Sequence, residues 1–213
     1  MRLLLATTNP DKVREIRALL DGAPVVLCSL ADLPPVAEPE ETGGTFAENA
    51  RLKADAYDRH ARASGVIPEP FLTVAEDSGL VVDAMDGEPG VYSARFVRSD
   101  ASYPERFAEI YRRLGERPDA PRTARFVCAL AVVDGGGSVF ETEGVVEGEI
   151  APAPSGAAGF GYDPIFHYPP YGRTLAEVTQ AEKLAVAHRG RAFRELRDWI
   201  VRGGPAQLRA TRV

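Results

Sequence analysis

Lysine is almost missing from this chain: of 25 basic residues only Lys12, Lys53 and Lys183 are lysines, and the rest are arginine. Cysteine, with two residues, and histidine, with three, are no more common. Cys28 and Cys128 sit inside apolar stretches without redox or metal spacing, and His60, His167 and His188 are too scattered to suggest zinc, so neither a disulfide scaffold nor a zinc centre is expected. Long apolar runs are missing as well. Val127 to Val133 is among the longest and falls far short of the ~20 residues a membrane helix needs. Strand-like residues begin at Leu3, too early for a cleavable leader, so the expectation is a cytoplasmic chain with no membrane partner. An excess of positive charge is also lacking. A formal charge of −6 argues against broad electrostatic binding to nucleic acid, and any anionic ligand would need cations gathered locally.

What is present is the composition of a globular protein, 45% apolar and 26% charged, over 213 residues that can bury a real core. No fixed repeat and no linker-like break appears, so a single domain over 1–213 is expected. Arg2 to Thr7 reads as a buried strand. Asn9 as N-cap and Pro10 at the first helical position then open an amphipathic helix over 10–20, with Val13, Ile16, Leu19 and Leu20 at helical spacing. Val25 to Ser29 is a second strand, and Thr45 with Glu48 forms a capping box for an alanine-rich helix over 46–64. Phe71 to Glu76 and Leu80 to Val82 read as strands interrupted by Asp77-Ser78-Gly79. A helix over 103–114 follows, then two strands turned by Gly135-Gly136-Gly137. Two further capping boxes, Thr174 with Glu177 and Thr179 with Glu182, predict a short and then a longer closing helix. Alternating helices and strands around a mid-chain hairpin predict an α/β fold with a mixed sheet.

Four segments carry chemistry. Thr7-Thr8-Asn9-Pro10-Asp11-Lys12 feeds a strand end into a helix start, where open backbone N–H groups, hydroxyls, an amide and an ammonium can cradle a phosphate. It lacks the glycines of a P-loop, so side chains must do more of the work. Thr45, Asn49 and Lys53 lie four apart on one helix face, behind Glu41. Glu76 and Asp77 are flanked by apolar residues and so emerge at a strand end, where one or two carboxylates suit magnesium and one can take a proton from water. Strand alternation sends these two acids to opposite sides. Gly159-Phe160-Gly161-Tyr162-Asp163, with Lys183, His188 and Arg189, offers aromatic faces and donors for a base. Taken singly, each segment also fits a plain reading: an Asn cap, an exposed polar stripe, an Asx turn, an aromatic loop filling core space.

Together and in this order they resemble the inosine triphosphate pyrophosphatase family. The matching stretches are Thr7 to Lys12, Glu40 to Lys53, Asp77 to Leu80, Pro89 to Arg95, Gly159 to Phe166, Glu182-Lys183 and His188 to Ala192, spanning nearly the whole chain. The resemblance implies a long mixed sheet flanked by helices, two lobes with a cleft between them, and a homodimer. It implies Mg2+-dependent hydrolysis of non-standard purine nucleoside triphosphates (ITP, dITP, XTP) to monophosphate and pyrophosphate. Asp77 would be proton acceptor and, with Glu41, metal ligand. Thr7, Thr8, Asn9, Asp11, Lys12, Lys53 and Ser78 would hold the triphosphate, and Phe160, Gly161, Tyr162, Asp163, Lys183, His188 and Arg189 the base and sugar. Selectivity would come from His188 and Arg189 donating to a 6-oxo group. Two positions depart from the family: Glu76 stands where it commonly has Asp, and Ala187 where it often has Ser. Two alternatives remain: a pyrimidine (dTTP or UTP) pyrophosphatase of related fold, and a module that binds nucleotide without hydrolysis.

Overall fold

The computed structural model describes residues 1–206, and residues 207–213 of the expected domain lie outside the described residues. Among the described residues seven strands form one mixed sheet in the order β2-β1-β3-β4-β5-β6-β7. The strands are β1 (Arg2–Leu5), β2 (Val26–Ser29), β3 (Phe71–Val82), β4 (Thr123–Val133), β5 (Ser138–Ile150), β6 (Phe166–Tyr168) and β7 (Arg173–Thr174). β1 runs parallel to both β2 and β3, with Leu4 opposite Cys28 on one side and Thr73 on the other. β5, β6 and β7 pair antiparallel. Parallel neighbours need crossover helices, and α1 (Pro10–Leu19) and α2 (Phe46–Ser64) supply them. The remaining helices are α3 (Tyr103–Gly115), α4 (Gln180–Val186) and α5 (His188–Val201).

The chain divides into two compact units. Unit 1 comprises Met1–Asp77, Cys128–Gly144 and the chain from Arg189 onward, and unit 2 comprises Ser78–Val127 and Val145–His188. In unit 1, Ala50 and Ala54 of α2 pack without exposure against Ala75, Ala129 and Ala131 of the strands and Ala6 just after β1. Where these alanines meet, their small side chains let the helix come close to the sheet, with Tyr57 and Val133 completing the cluster, and the polar side chains next to the alanines reach the strand residues. Unit 2 has its own core, which includes Leu80, Ile110, Phe126, Ile150 and Phe166.

Two local expectations are corrected. β3 is one continuous strand through Asp77-Ser78-Gly79, because every residue from Phe71 to Val82 except Ser78 is buried and burial with strand pairing outweighs the turn preference of those three residues. Thr174–Glu177 opens no helix. The Glu177 carboxylate accepts from the Thr174 N–H at 2.8 Å in a turn after β7, and the second box, at Thr179, starts α4.

Candidate active site

α1 and β3 build the first part of the site in unit 1. Asn9 caps α1 as its sequence predicts, its side-chain oxygen accepting from the Asp11 and Lys12 N–H groups at 2.9 and 3.2 Å. Thr7 Oγ1 accepts from the Asn9 N–H at 3.3 Å. This corrects the open-backbone cradle: the N–H groups of Asn9, Asp11 and Lys12 are engaged, which leaves an anion the hydroxyls of Thr7 and Thr8, the Asn9 amide N–H groups and Lys12. The Lys12 ammonium lies 3.1 Å from Glu76 Oε1.

Glu76 and Asp77 face opposite ways, as alternation requires. Glu76, 3% exposed, sits among cations: Arg189 Nε lies 3.0 and 2.9 Å from its two oxygens. Cys128 Sγ donates to Oε2 at 2.8 Å. Arg189 Nη1 reaches Glu15 Oε2 at 2.7 Å. Lys12, Arg189, Glu15 and Glu76 thus carry two positive and two negative charges in one buried cluster. Burial alone would push Glu76 up, but Arg189 and Lys12 overcome it and hold the carboxyl well below its ordinary value. The Cys128 thiol is driven well up by burial and by Glu76 beside it, so it is an inert proton donor rather than a nucleophile.

Asp77 meets the other face of the strand and α2. Lys53 Nζ lies 3.0 Å from Asp77 Oδ1 and 2.8 Å from Glu41 Oε1, and Asn49 Nδ2 donates to Asp77 Oδ2 at 3.2 Å. The four-residue spacing of Asn49 and Lys53 therefore brings both to one carboxylate, while the Thr45 hydroxyl serves as helix cap, accepting from the Glu48 N–H. Burial pushes Asp77 above its ordinary value; Lys53 opposes this, and Glu41 adds to it. Burial disfavours the Lys53 ammonium too, but Asp77 and Glu41 together hold its pKa up. The two directions have different sources: two carboxylates around one ammonium raise Lys53 against its burial, whereas burial, helped by Glu41, raises Asp77 against the pull of Lys53.

Glu41 and Asp77 converge as hard oxygen donors. Among the described residues no group of three or more His, Cys, Asp or Glu side chains could cage a metal by itself. Two converging carboxylates suit a small hard cation that completes its shell with water and phosphate oxygens, so these residues fit Mg2+.

Unit 2 holds the aromatic segment. Asp163, 2% exposed, accepts through Oδ2 from the Phe160 N–H at 2.8 Å and from Lys183 Nζ at 2.6 Å. The same ammonium stands 4.5 Å from the Phe160 ring centre. Gly159 has φ +72°, and a Cβ there would collide with Asp163 Oδ2, so glycine is required. Phe160 and Gly161 are half-buried. Tyr162 is not an open face: it is 4% exposed, with its hydroxyl donating to Ser93 O at 2.9 Å and its ring edge-on to Tyr103. The stacking surface expected of two rings is thus reduced to Phe160. His188 stacks on Phe126 at 4.8 Å and 20°. Sequence reasoning missed Glu15 and Cys128, and it assigned Arg189 to a base, whereas the structure engages this guanidinium with Glu15 and Glu76.

With this geometry in view, the sequence profile of the Ham1 family matches residues 3–199, and the chain belongs to that family. It is 46% identical to a dITP/XTP pyrophosphatase of Geobacter sulfurreducens over 93% of this chain and 96% of that one. A dITP/XTP pyrophosphatase of Geobacillus kaustophilus is 44% identical over 91% of each chain. Among solved structures, a HAM1 protein from Coxiella burnetii superposes with a TM-score of 0.81 at 35% identity, covering 95% of this chain and 99% of that one. A nucleoside-triphosphatase/dITP/XTP pyrophosphatase from Mycobacterium abscessus gives 0.71 at 40% identity, over 92% and 97%.

Proposed function

We propose that this chain hydrolyses non-standard purine nucleoside triphosphates, dITP, ITP and XTP, to the monophosphate and pyrophosphate with Mg2+ as cofactor. The observation that carries the reading is Asp77: a buried carboxylate whose proton affinity is raised, with Glu41 and Asn49 beside it and Lys53 at 3.0 Å. The names of the relatives supply the substrate class.

A general base serves best when its pKa lies nearer the working pH than an ordinary carboxylate does, and burial moves Asp77 in that direction. In the proposed reaction, Asp77 takes a proton from a water that attacks the α-phosphorus in line; the bond to the bridging oxygen breaks, and pyrophosphate leaves with its electron pair. Lys53 and Lys12 stand by the phosphates and offset the charge on the leaving group. Glu41 and Asp77 would hold Mg2+, which would supply Lewis-acid neutralisation of phosphate charge. Thr7, Thr8, Asn9, Asp11 and Ser78 belong to the triphosphate end.

The base end is assigned to Phe160, Gly161, Lys183 and His188, with Asp163 and Tyr162 shaping the loop from within. Donors set to meet a 6-oxo group would be left unpaired by the 6-amino group of adenine, a penalty of about 1–3 kcal/mol for each buried donor. Arg189 is assigned to the phosphate end, where it holds Glu76 and through it Lys12. A homodimer belongs to the same reading, and sedimentation equilibrium checks it.

The test is a substrate panel of dITP, XTP, ATP and dTTP, with and without Mg2+, scored for monophosphate and pyrophosphate. Turnover of dITP and XTP only with Mg2+ supports the reading. Preferred turnover of dTTP, or tight binding with no product, overturns it.

A further inference from the structure

We propose that Asn49 is a positioning residue: its side-chain amide ties the loop that follows Glu41 to the Asp77 carboxylate and so sets the spacing of the two acids. The inference rests on the roles given above to Asp77 and Glu41. Asn49 is wholly buried at the first turn of α2 and uses both ends of its amide. Oδ1 accepts from the Gly43 N–H at 2.8 Å, and Nδ2 donates to Asp77 Oδ2 at 3.2 Å. Only the NH2 group can face a carboxylate and only the carbonyl can face an N–H, so the two partners fix the amide orientation between them.

Gly43 shows how tight this link is. A Cβ at residue 43 would lie 2.7 Å from Asn49 Oδ1 and 2.7 Å from the Glu48 Cβ. The backbone can reach the amide only because residue 43 has no side chain. The next N–H, that of Gly44, donates to Glu48 Oε2 at 2.7 Å. Side chains 48 and 49 thus fasten two successive loop N–H groups, two and three residues beyond Glu41, to the start of α2. Lys53, one turn on, touches both acids from the same helix. Two carboxylates repel, and an ammonium alone attracts them without fixing their angle. The amide adds a directional, uncharged link to one acid and to the loop that carries the other.

The experiment compares the parent with Asn49→Ala, Gly43→Ala and the exposed neighbour Arg51→Ala, whose guanidinium pairs with Glu141. It reads kcat and KM for dITP, Mn2+ binding to the nucleotide-free protein by electron paramagnetic resonance, and folded fraction by circular dichroism. Asn49→Ala is expected to lower kcat and Mn2+ affinity each by about 10–100-fold, with KM within about threefold and Arg51→Ala at parental values. Gly43→Ala is expected to show the same pattern, although its methyl touches no proposed ligand; should Asn49→Ala not fold, Gly43→Ala decides alone. Parental kcat and Mn2+ affinity in the folded variants refute the positioning role. Absence of dITP turnover in the parent refutes the proposed function instead, and the Mn2+ comparison still decides for or against Asn49.

Discussion

Replacing Arg189 with methionine separates its structural role from contact with a nucleotide base. The guanidinium has 2% of its side-chain surface exposed and meets Glu76 at 2.9 Å and Glu15 at 2.7 Å, both equally buried. Removing it takes the guanidinium away from two buried carboxylates, of which Glu76 keeps the Lys12 ammonium at 3.1 Å. Deleting one partner of a buried ion pair costs about 3–5 kcal/mol, because the abandoned charge cannot return to water without opening the core. For a chain of this size each kcal/mol moves Tm by roughly 2–4 °C, so the expected fall is about 6–20 °C. Lysine at this position keeps the charge but lacks the planar fork that meets both acids, and should recover only part of the loss. Differential scanning calorimetry at neutral pH reads the shift. A methionine variant with parental Tm and a raised KM for dITP would refute the cluster and return Arg189 to the base.

Gly159→Ala forces a methyl group against Asp163 at a backbone angle of φ +72°, displacing the Phe160 loop; a loss of about 1.4 kcal/mol at the base end raises KM for dITP about tenfold in steady-state kinetics, with kcat kept. Glu105, which accepts from Arg98 and the Ser102 N–H at the start of α3, has a pKa lowered to about 2 by these bonds, the Arg98 contact first. Because its folded value lies below the unfolded one, its stabilisation is complete above the ordinary glutamate range and is lost as pH falls through that range toward 2. Urea unfolding of Glu105→Gln across these pH values should show a flatter loss of stability than the parent.

Helix starts were legible because capping is local: Asn9, Thr45 and Thr179 each satisfy backbone N–H groups within three residues. The Thr174–Glu177 box misled because a turn uses the same carboxylate-to-backbone bond, and no apolar helical period follows it. Asn49 and Lys53 could be read from spacing on one helix face and the acid pair from its strand end, whereas the choice of Asp77 over Glu76 and the metal role of Glu41 rest on the family resemblance. The environment of Glu76 could not: Arg189 comes from 113 residues away and bonds Glu15 across 174. Strand alternation did announce that Glu76 and Asp77 part ways, but not that the first would bind cations inside the core and the second would keep a raised proton affinity. The inward turn of Tyr162 was hidden for the same reason, since its partner Ser93 lies 69 residues earlier.

The most direct measurement is kcat for dITP in a folded Asp77→Asn protein at saturating Mg2+. The amide keeps the shape of the side chain and cannot take a proton, so kcat should fall by about 10²–10⁴-fold with the circular dichroism spectrum unchanged. Release of pyrophosphate at the parental rate would contradict Asp77 as the base.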